Sequence, residues 1–195
     1  KRFPSEANVV SGVKVCAAFD IDKNAVMDIA ADNQDIWAYS DIEKILDAVD
    51  AVYIATPHLS HYDYIKKSLE AKRHVLCETP MVLNGTQAKE LYELAEKNGC
   101  ILMEANKTAH CPAFNHLMVL IKSGLIGEVV DVEASLSKLW DDKANLREFD
   151  ANMAGGSFYE LASYPLLPII KLLGTNDRNL NLYSRMKNGV DIYTK

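Results

Sequence analysis

Four short apolar runs, VKVCAAFD, AVYIATP, HVLCE and CILMEA, begin at residues 13, 51, 74 and 100 and constrain the fold more than any other feature. Each is rich in β-branched and aliphatic residues and short, so each reads as a strand covered on both faces. Amphipathic helical patterns lie between them. DIEKILDAV sets Ile42, Ile45, Leu46 and Val49 at helical spacing, while NGTQAKELYELAEKNG has Asn84 to cap its start, Gln87 at the capping-box position and Gly99 to stop it. Strands alternating with helices of this length are βαβ units. Their right-handed crossovers build a doubly wound parallel sheet, and such a sheet takes its ligand at the carboxyl ends of its strands.

The pattern changes near residue 108. PAFNHLMVLIKSG reads as a helix with Pro112 in its first turn and Gly124 past its end. VVDVEASLSKL then sets Val130, Val132, Ala134 and Leu136 against Asp131, Glu133, Ser135 and Ser137, the alternation of a strand with one covered face. After a polar stretch and the glycine pair at 155 and 156, FYELASYPLLPIIKLLG reads as a helix ending at Gly174, kinked or split by Pro165 and Pro168. We expect an α/β chain in two parts. Residues 1–108 form a Rossmann-like parallel sheet, its first strand missing, and residues 109–195 begin an α+β domain with a mainly antiparallel open sheet.

Composition excludes several partners. A net charge of -6 and a pI near 5.4, with no basic cluster beyond Lys-Lys and Lys-Arg pairs, argue against nucleic acid and against an anionic membrane surface. No apolar run reaches the length of a membrane span, and KRFPSEAN has no apolar signal region. Cys16, Cys77, Cys100 and Cys111 show no CxxC spacing, and three fall in apolar runs, so reduced thiols and a cytoplasmic location are expected. His58, His74, His110 and His116 have no metal-ligand spacing, and no metal is expected.

The segment DAVYIATPHLSHYDYIKKSLEAKRHVLCETPM, with LMEA, PAF, GEVVDVEA and GGSFYELASYPL after it, resembles the Gfo/Idh/MocA family of NAD(P)-dependent oxidoreductases. The ATP segment, a histidine four residues after Pro57 and the HVLCE strand closed by a proline together make a multi-part pattern at the family's spacing. Members act on sugars, inositols and dihydrodiols. The resemblance therefore implies hydride transfer between NAD or NADP and a sugar or polyol, and pairing of copies through the second domain's sheet. A non-catalytic sensor or regulatory member is the alternative. No GxGxxG loop precedes residue 13 and the sequence stops at GVDIYTK, so we expect a piece of a longer enzyme that alone binds dinucleotide poorly.

Candidate cofactor residues follow from the matching positions. Asp20 closes the first apolar run, where a carboxylate accepts the adenosine ribose hydroxyls and repels a 2′-phosphate; this favours NAD, although Lys23 nearby could help a phosphate. A loop aspartate before a helix is the plainer reading. Thr56, Pro57, His61, Glu78 and Thr79 are expected along the nicotinamide half, with His61 open to being only a helix-start residue. Oxidising an alcohol also needs a group to take the hydroxyl proton. The resemblance implies the lysine of an EKP motif and a His or Tyr four residues after an acidic residue, which here are Thr79, Tyr164 and Glu160. Tyrosine has a pKa near ~10 and wants a nearby cation, which Thr79 cannot supply. Lys107, after the next strand, is the expected replacement, with a surface lysine as the alternative; Trp140, Asp141, Asp142 and Lys143 are expected to border the pocket.

Overall fold

The computed structural model describes residues 3–140, 146–175 and 179–195. After a short helix α1 (Phe3–Ala7), strand β1 (Ala17–Phe19) pairs in parallel with β2 (Trp37–Tyr39), and α2 (Lys23–Asp32) crosses between them. Helix α3 (Ile42–Ala48) leads to β3 (Ala51–Ile54). A second parallel sheet takes the order β3, β4 (His74–Cys77), β5 (Leu102–Glu104), with α4 (His58–Glu70) and α5 (Gly85–Asn98) as its crossovers. Among the described residues no ladder joins the two sheets.

Local chemistry explains where the helices begin and end. Asp22 and Asp41 accept from the amides of Asn24 and Glu43, and Asn84 accepts from Gln87 at 3.0 Å, each satisfying an orphan donor of the first turn. Gly99 ends α5 in the left-handed conformation at φ 66°, which costs glycine nothing. The α4–α5 layer packs on the second sheet. Ile54, Ile65, Leu69, Val75, Cys77, Met81, Leu91, Ala95 and Leu102 make one buried cluster, the core beneath the strand ends.

A 3-10 turn at Lys107–His110 leads to α6 (Pro112–Lys122), which has Pro112 in its first turn and Gly124 at φ 79° beyond its end. The expected strand at 129–137 does not form. Its residues have no ladder partner, Val130 is 89% exposed, and Leu136 is also exposed. Alternation gives a strand one apolar face, but pairing needs a neighbour to take its amides and carbonyls, and none of the described residues does so.

The expected helix over 158–173 is two pieces, α7 (Ser157–Leu161) and α8 (Ser163–Leu173). Pro165 has no N–H to return to Leu161, which interrupts the ladder. The backbone nonetheless stays helical through Ala162 at φ -62°, with Ala162 N bonded to Phe158 O and Leu166 N to Ala162 O, both at 3.0 Å. Gly174 terminates α8 as expected. Strands β6 (Ser184–Lys187) and β7 (Val190–Thr194) form an antiparallel hairpin whose turn has Asn188 at φ 52° and Gly189 at φ 83°. Asp141, Asp142 and Lys143 lie outside the described residues.

Candidate functional site

Parallel register sets the height of each strand-end residue. Ile54, Cys77 and Glu104 are aligned across β3, β4 and β5, and the ladder runs one step on through Glu78 N to Ile54 O and Ala105 N to Cys77 O. Thr56, Thr79 and Asn106 therefore stand at one level past the carboxyl edge. This edge is where an open parallel sheet takes a ligand.

Side chains pin the loops that leave this edge. His61 is fully buried, with Nδ1 2.9 Å from Pro80 O and Nε2 2.7 Å from Thr56 O, so one ring ties the loop after β3 to the loop after β4. Glu104 Oε1 accepts from Met81 N at 2.9 Å, which ties β5 to that same loop. Tyr53 donates to Glu78 Oε1 from the neighbouring strand, while Phe3 stacks on the Tyr53 ring at 3.8 Å. Burial and the Glu78 carboxylate push the Tyr53 hydroxyl well above the ordinary tyrosine range, so it stays a donor.

The second part of the chain docks on this edge through polar contacts. Asn106 is buried, and its Nδ2 donates to Ser163 O at 3.1 Å, one residue before Tyr164. His58 Nδ1 donates to Ala154 O at 3.2 Å. Arg147 Nη2 donates to Glu160 Oε2 at 3.1 Å; its Nη1 lies 2.7 Å from Glu160 Oε1, off hydrogen-bonding angles, and 3.3 and 3.4 Å from the two ring nitrogens of His58. Burial holds the His58 ring below the ordinary histidine range; Arg147 and His61 add to this, while the Ala154 carbonyl and Glu160 oppose it. Close backbone packing fixes the segment before α7. A Cβ on Gly155 would stand 2.6 Å from Arg147 O, and Gly156 at φ 117° faces the Asp191 carboxylate, which caps α7 through Phe158 N at 2.8 Å.

The expected site residues do not all come together. Thr56, Pro57, Glu78 and Thr79 stand together at the carboxyl edge of β3 and β4, whereas Asp20 lies at the end of β1 with Oδ1 bonded to Asp22 N at 2.9 Å. His61 belongs to the same edge but spends both ring nitrogens on backbone carbonyls, so it shapes the loops from beneath. Glu160 faces Arg147 and His58, and the half-buried Tyr164 has no hydrogen-bond partner among the described residues. Lys107 is exposed and makes no hydrogen bond or ion pair among them. Sequence reasoning missed His58 and Arg147. His58 directly follows Pro57 and could have been flagged by position; Arg147 carries no local signal, because its partners are 13 and 89 residues away. Among the described residues no group of three or more His, Cys, Asp or Glu is placed to hold a metal ion.

A parallel sheet with polar residues aligned past its carboxyl edge marks an α/β protein of the kind that takes its ligand there. The model of the oxidoreductase family with NAD-binding Rossmann fold, GFO_IDH_MocA, matches residues 3–106, and the chain belongs to that family. It is 29% identical over 197 residues to scyllo-inositol 2-dehydrogenase (NADP(+)) IolU of Bacillus subtilis, covering 97% of this chain and 60% of the relative. D-xylose 1-dehydrogenase (NADP(+)) 2 of Haloferax volcanii is 33% identical over 143 residues, covering 72% and 44%. Among solved structures, KijD10, a 3-ketoreductase from Actinomadura kijaniata in complex with NADP and TDP-benzene, superposes with a TM-score of 0.77 at 25% identity, covering 87% and 52%. An NAD-binding protein from Listeria innocua shares the fold at 0.83 and 23% identity, covering 97% and 57%. The chain thus spans 60% or less of the length of these relatives.

Proposed function

We propose that the full-length protein transfers hydride between a nicotinamide dinucleotide and a sugar, polyol or related alcohol or carbonyl compound. The carrying observation is the junction at Asn106: it stands level with Thr56 and Thr79 at the sheet edge and bonds the residue before Tyr164. This contact beside Tyr164 supports a role for its phenol next to the nicotinamide. The relatives' names, a scyllo-inositol dehydrogenase and xylose dehydrogenases, support the substrate class.

The residues present fit the adenosine half as well. Asp20 Oδ2 makes no hydrogen bond among the described residues, so it is free to accept ribose hydroxyls. We read this carboxylate as favouring NAD, against relatives named for NADP. A bound nicotinamide supplies the hydride chemistry. The chain supplies Tyr164 to hold or release the substrate hydroxyl proton, Thr56 and Thr79 to line the reacting edge, and Glu78, itself held by Tyr53, beside them. Residues 1–108 would act as the cofactor domain and 109–195 as the start of the substrate domain. A cytoplasmic setting and pairing of copies through the open face of β6 and β7 belong to the same reading.

Thr79 in place of a lysine, together with the exposed Lys107, favours a second reading: a member that binds dinucleotide without turnover. Nicotinamide absorbance with a panel of sugars and polyols, run with NAD and with NADP, separates the two. Turnover, faster with NAD, is expected. Tight cofactor binding with no absorbance change across the panel would leave the sensor reading standing. Lys107→Ala tests Lys107 as the replacement cation: a fall in turnover supports that role, and undiminished turnover overturns it.

A further inference from the structure

The hydride-transfer reading pairs Glu160 with Tyr164 but assigns no role to the two side chains packed against it at the seam, His58 and Arg147. His58 opens α4, Arg147 lies in the 3-10 turn at Arg147–Phe149, and Glu160 sits in α7. The His58 and Glu160 side chains are 5% and 11% exposed, and Arg147 lies between them at 29%. His58 Nδ1 donates to Ala154 O, so Nε2 carries the ring's lone pair and needs a donor. Arg147 Nη1 is the donor at hand, 3.4 Å from Nε2 and 3.3 Å from Nδ1, so the guanidinium lies against the ring. The same guanidinium meets both oxygens of Glu160, whose Oε1 is 3.7 Å from His58 Nδ1.

We propose that His58, Arg147 and Glu160 form one bridge that sets Tyr164 against the loop at Thr56 and Pro57, with Arg147 as its positioning residue. Glu160 lies one helical turn before Tyr164, and the backbone between them stays helical through Ala162, so what holds Glu160 holds the turn that carries the phenol. At the other end His58 follows Pro57 directly. A guanidinium suits the middle because one planar cation bonds the Glu160 carboxylate and lies against the imidazole at once; an ammonium is a point charge and cannot. Without Arg147, a nearly buried carboxylate would lose its counter-charge and turn to the imidazole. An ion pair serving stability alone would need only Arg147 and Glu160. The third member, with its tautomer fixed, is what joins the cofactor-side loop to the helix of Tyr164.

The effect on turnover rests on the hydride-transfer reading; the bridge itself does not, so two measurements are made on full-length Arg147→Met and Arg147→Lys. In the first, nitrogen NMR of the His58 imidazole should show the Nδ1–H tautomer in the parent, titrating below the ordinary histidine range. The charged and titratable groups facing the ring are Arg147, Glu160 and His61. In Arg147→Met the titration should move up, because an opposing cation is gone and Glu160 faces the ring alone. A folded variant whose His58 titration stays in place overturns the bridge.

In the second measurement, kcat should fall about 10–100-fold in Arg147→Met, as expected for a misplaced reacting group, with cofactor Kd within about 2-fold. Arg147→Lys should fall between, and added guanidinium should restore part of the Met variant's rate. Unchanged kcat, or equal losses in kcat and cofactor affinity without rescue, overturns the positioning role. Should the parent turn over nothing, the hydride-transfer reading fails alone and the titration still decides the bridge. Should Arg147→Met not fold, Arg147→Gln, which also removes the cation, carries both measurements with the same expected directions.

Discussion

At the scale of single residues, His61 shows how sequence position and geometry separate. Its place four residues after Pro57 suggests the cofactor, yet its ring is fully buried between Pro80 O and Thr56 O. A neutral imidazole has one N–H, so both contacts are hydrogen bonds only when both nitrogens carry protons. No sequence pattern announces a side chain that bonds two backbone carbonyls from beneath, because one acceptor is 19 residues away. His61→Leu approximates the volume and removes the donors. We expect it to lower the unfolding free energy in urea by about 1–3 kcal/mol, the cost of leaving a buried carbonyl without its donor. A direct cofactor role would give the opposite pattern, weaker dinucleotide binding with stability near that of the parent.

At the scale of elements, what the sequence announces is what a segment settles with its own atoms. The Asn84 cap, the Gly99 stop, Pro112 in its first turn and the interruption near Pro165 all concern groups within about one helical turn, and all are present. The Asn188–Gly189 turn is equally local; both residues have positive φ, and the dipeptide between VDIY and SRMK was a readable hairpin signal. The alternating run at 129–137 fails for the converse reason. A strand needs a partner, and no alternation within it can specify one. The glycine pair lies between these cases, since GG marks a tight place without saying what presses on it. At Gly155 the neighbours are the Arg147 and Glu148 carbonyl oxygens, 2.6 and 2.7 Å from a added Cβ position. Because those atoms are backbone, they cannot swing aside. Gly155→Ala should cost about 1–3 kcal/mol in urea unfolding and shift the Arg147–Glu160 contact, whereas Gly85→Ala, with open space around it, should be close to neutral.

At the scale of the whole molecule, the burial pattern divides the chain unevenly. The contiguous core sits under β3, β4 and β5, while Val130, Leu139, Leu180, Leu182 and Tyr183, all beyond residue 108, are more than half exposed. The runs at 51, 74 and 100 announced this sheet correctly. They could not announce that β1 and β2 would pair apart from it, because strand order is fixed by contacts distant in sequence. Local opening follows burial: an amide exchanges slowly when opening it exposes much apolar surface, and fast when little is lost. Hydrogen exchange on the 195-residue chain should therefore be slowest in β3, β4 and the α4–α5 helices that bury Ile65, Leu69 and Leu91. The short β1–β2 pair should exchange faster, tied to the larger sheet's layer by the Phe19–Tyr64 edge contact at 6.0 Å rather than by a ladder. The β6–β7 hairpin should exchange faster still, since every residue of β6 is exposed and β7 buries only Val190. Equal protection across all three would mean that the chain opens as one cooperative unit, with the polar seam at Asn106 and Arg147 coupling its two parts as tightly as the apolar core binds the first.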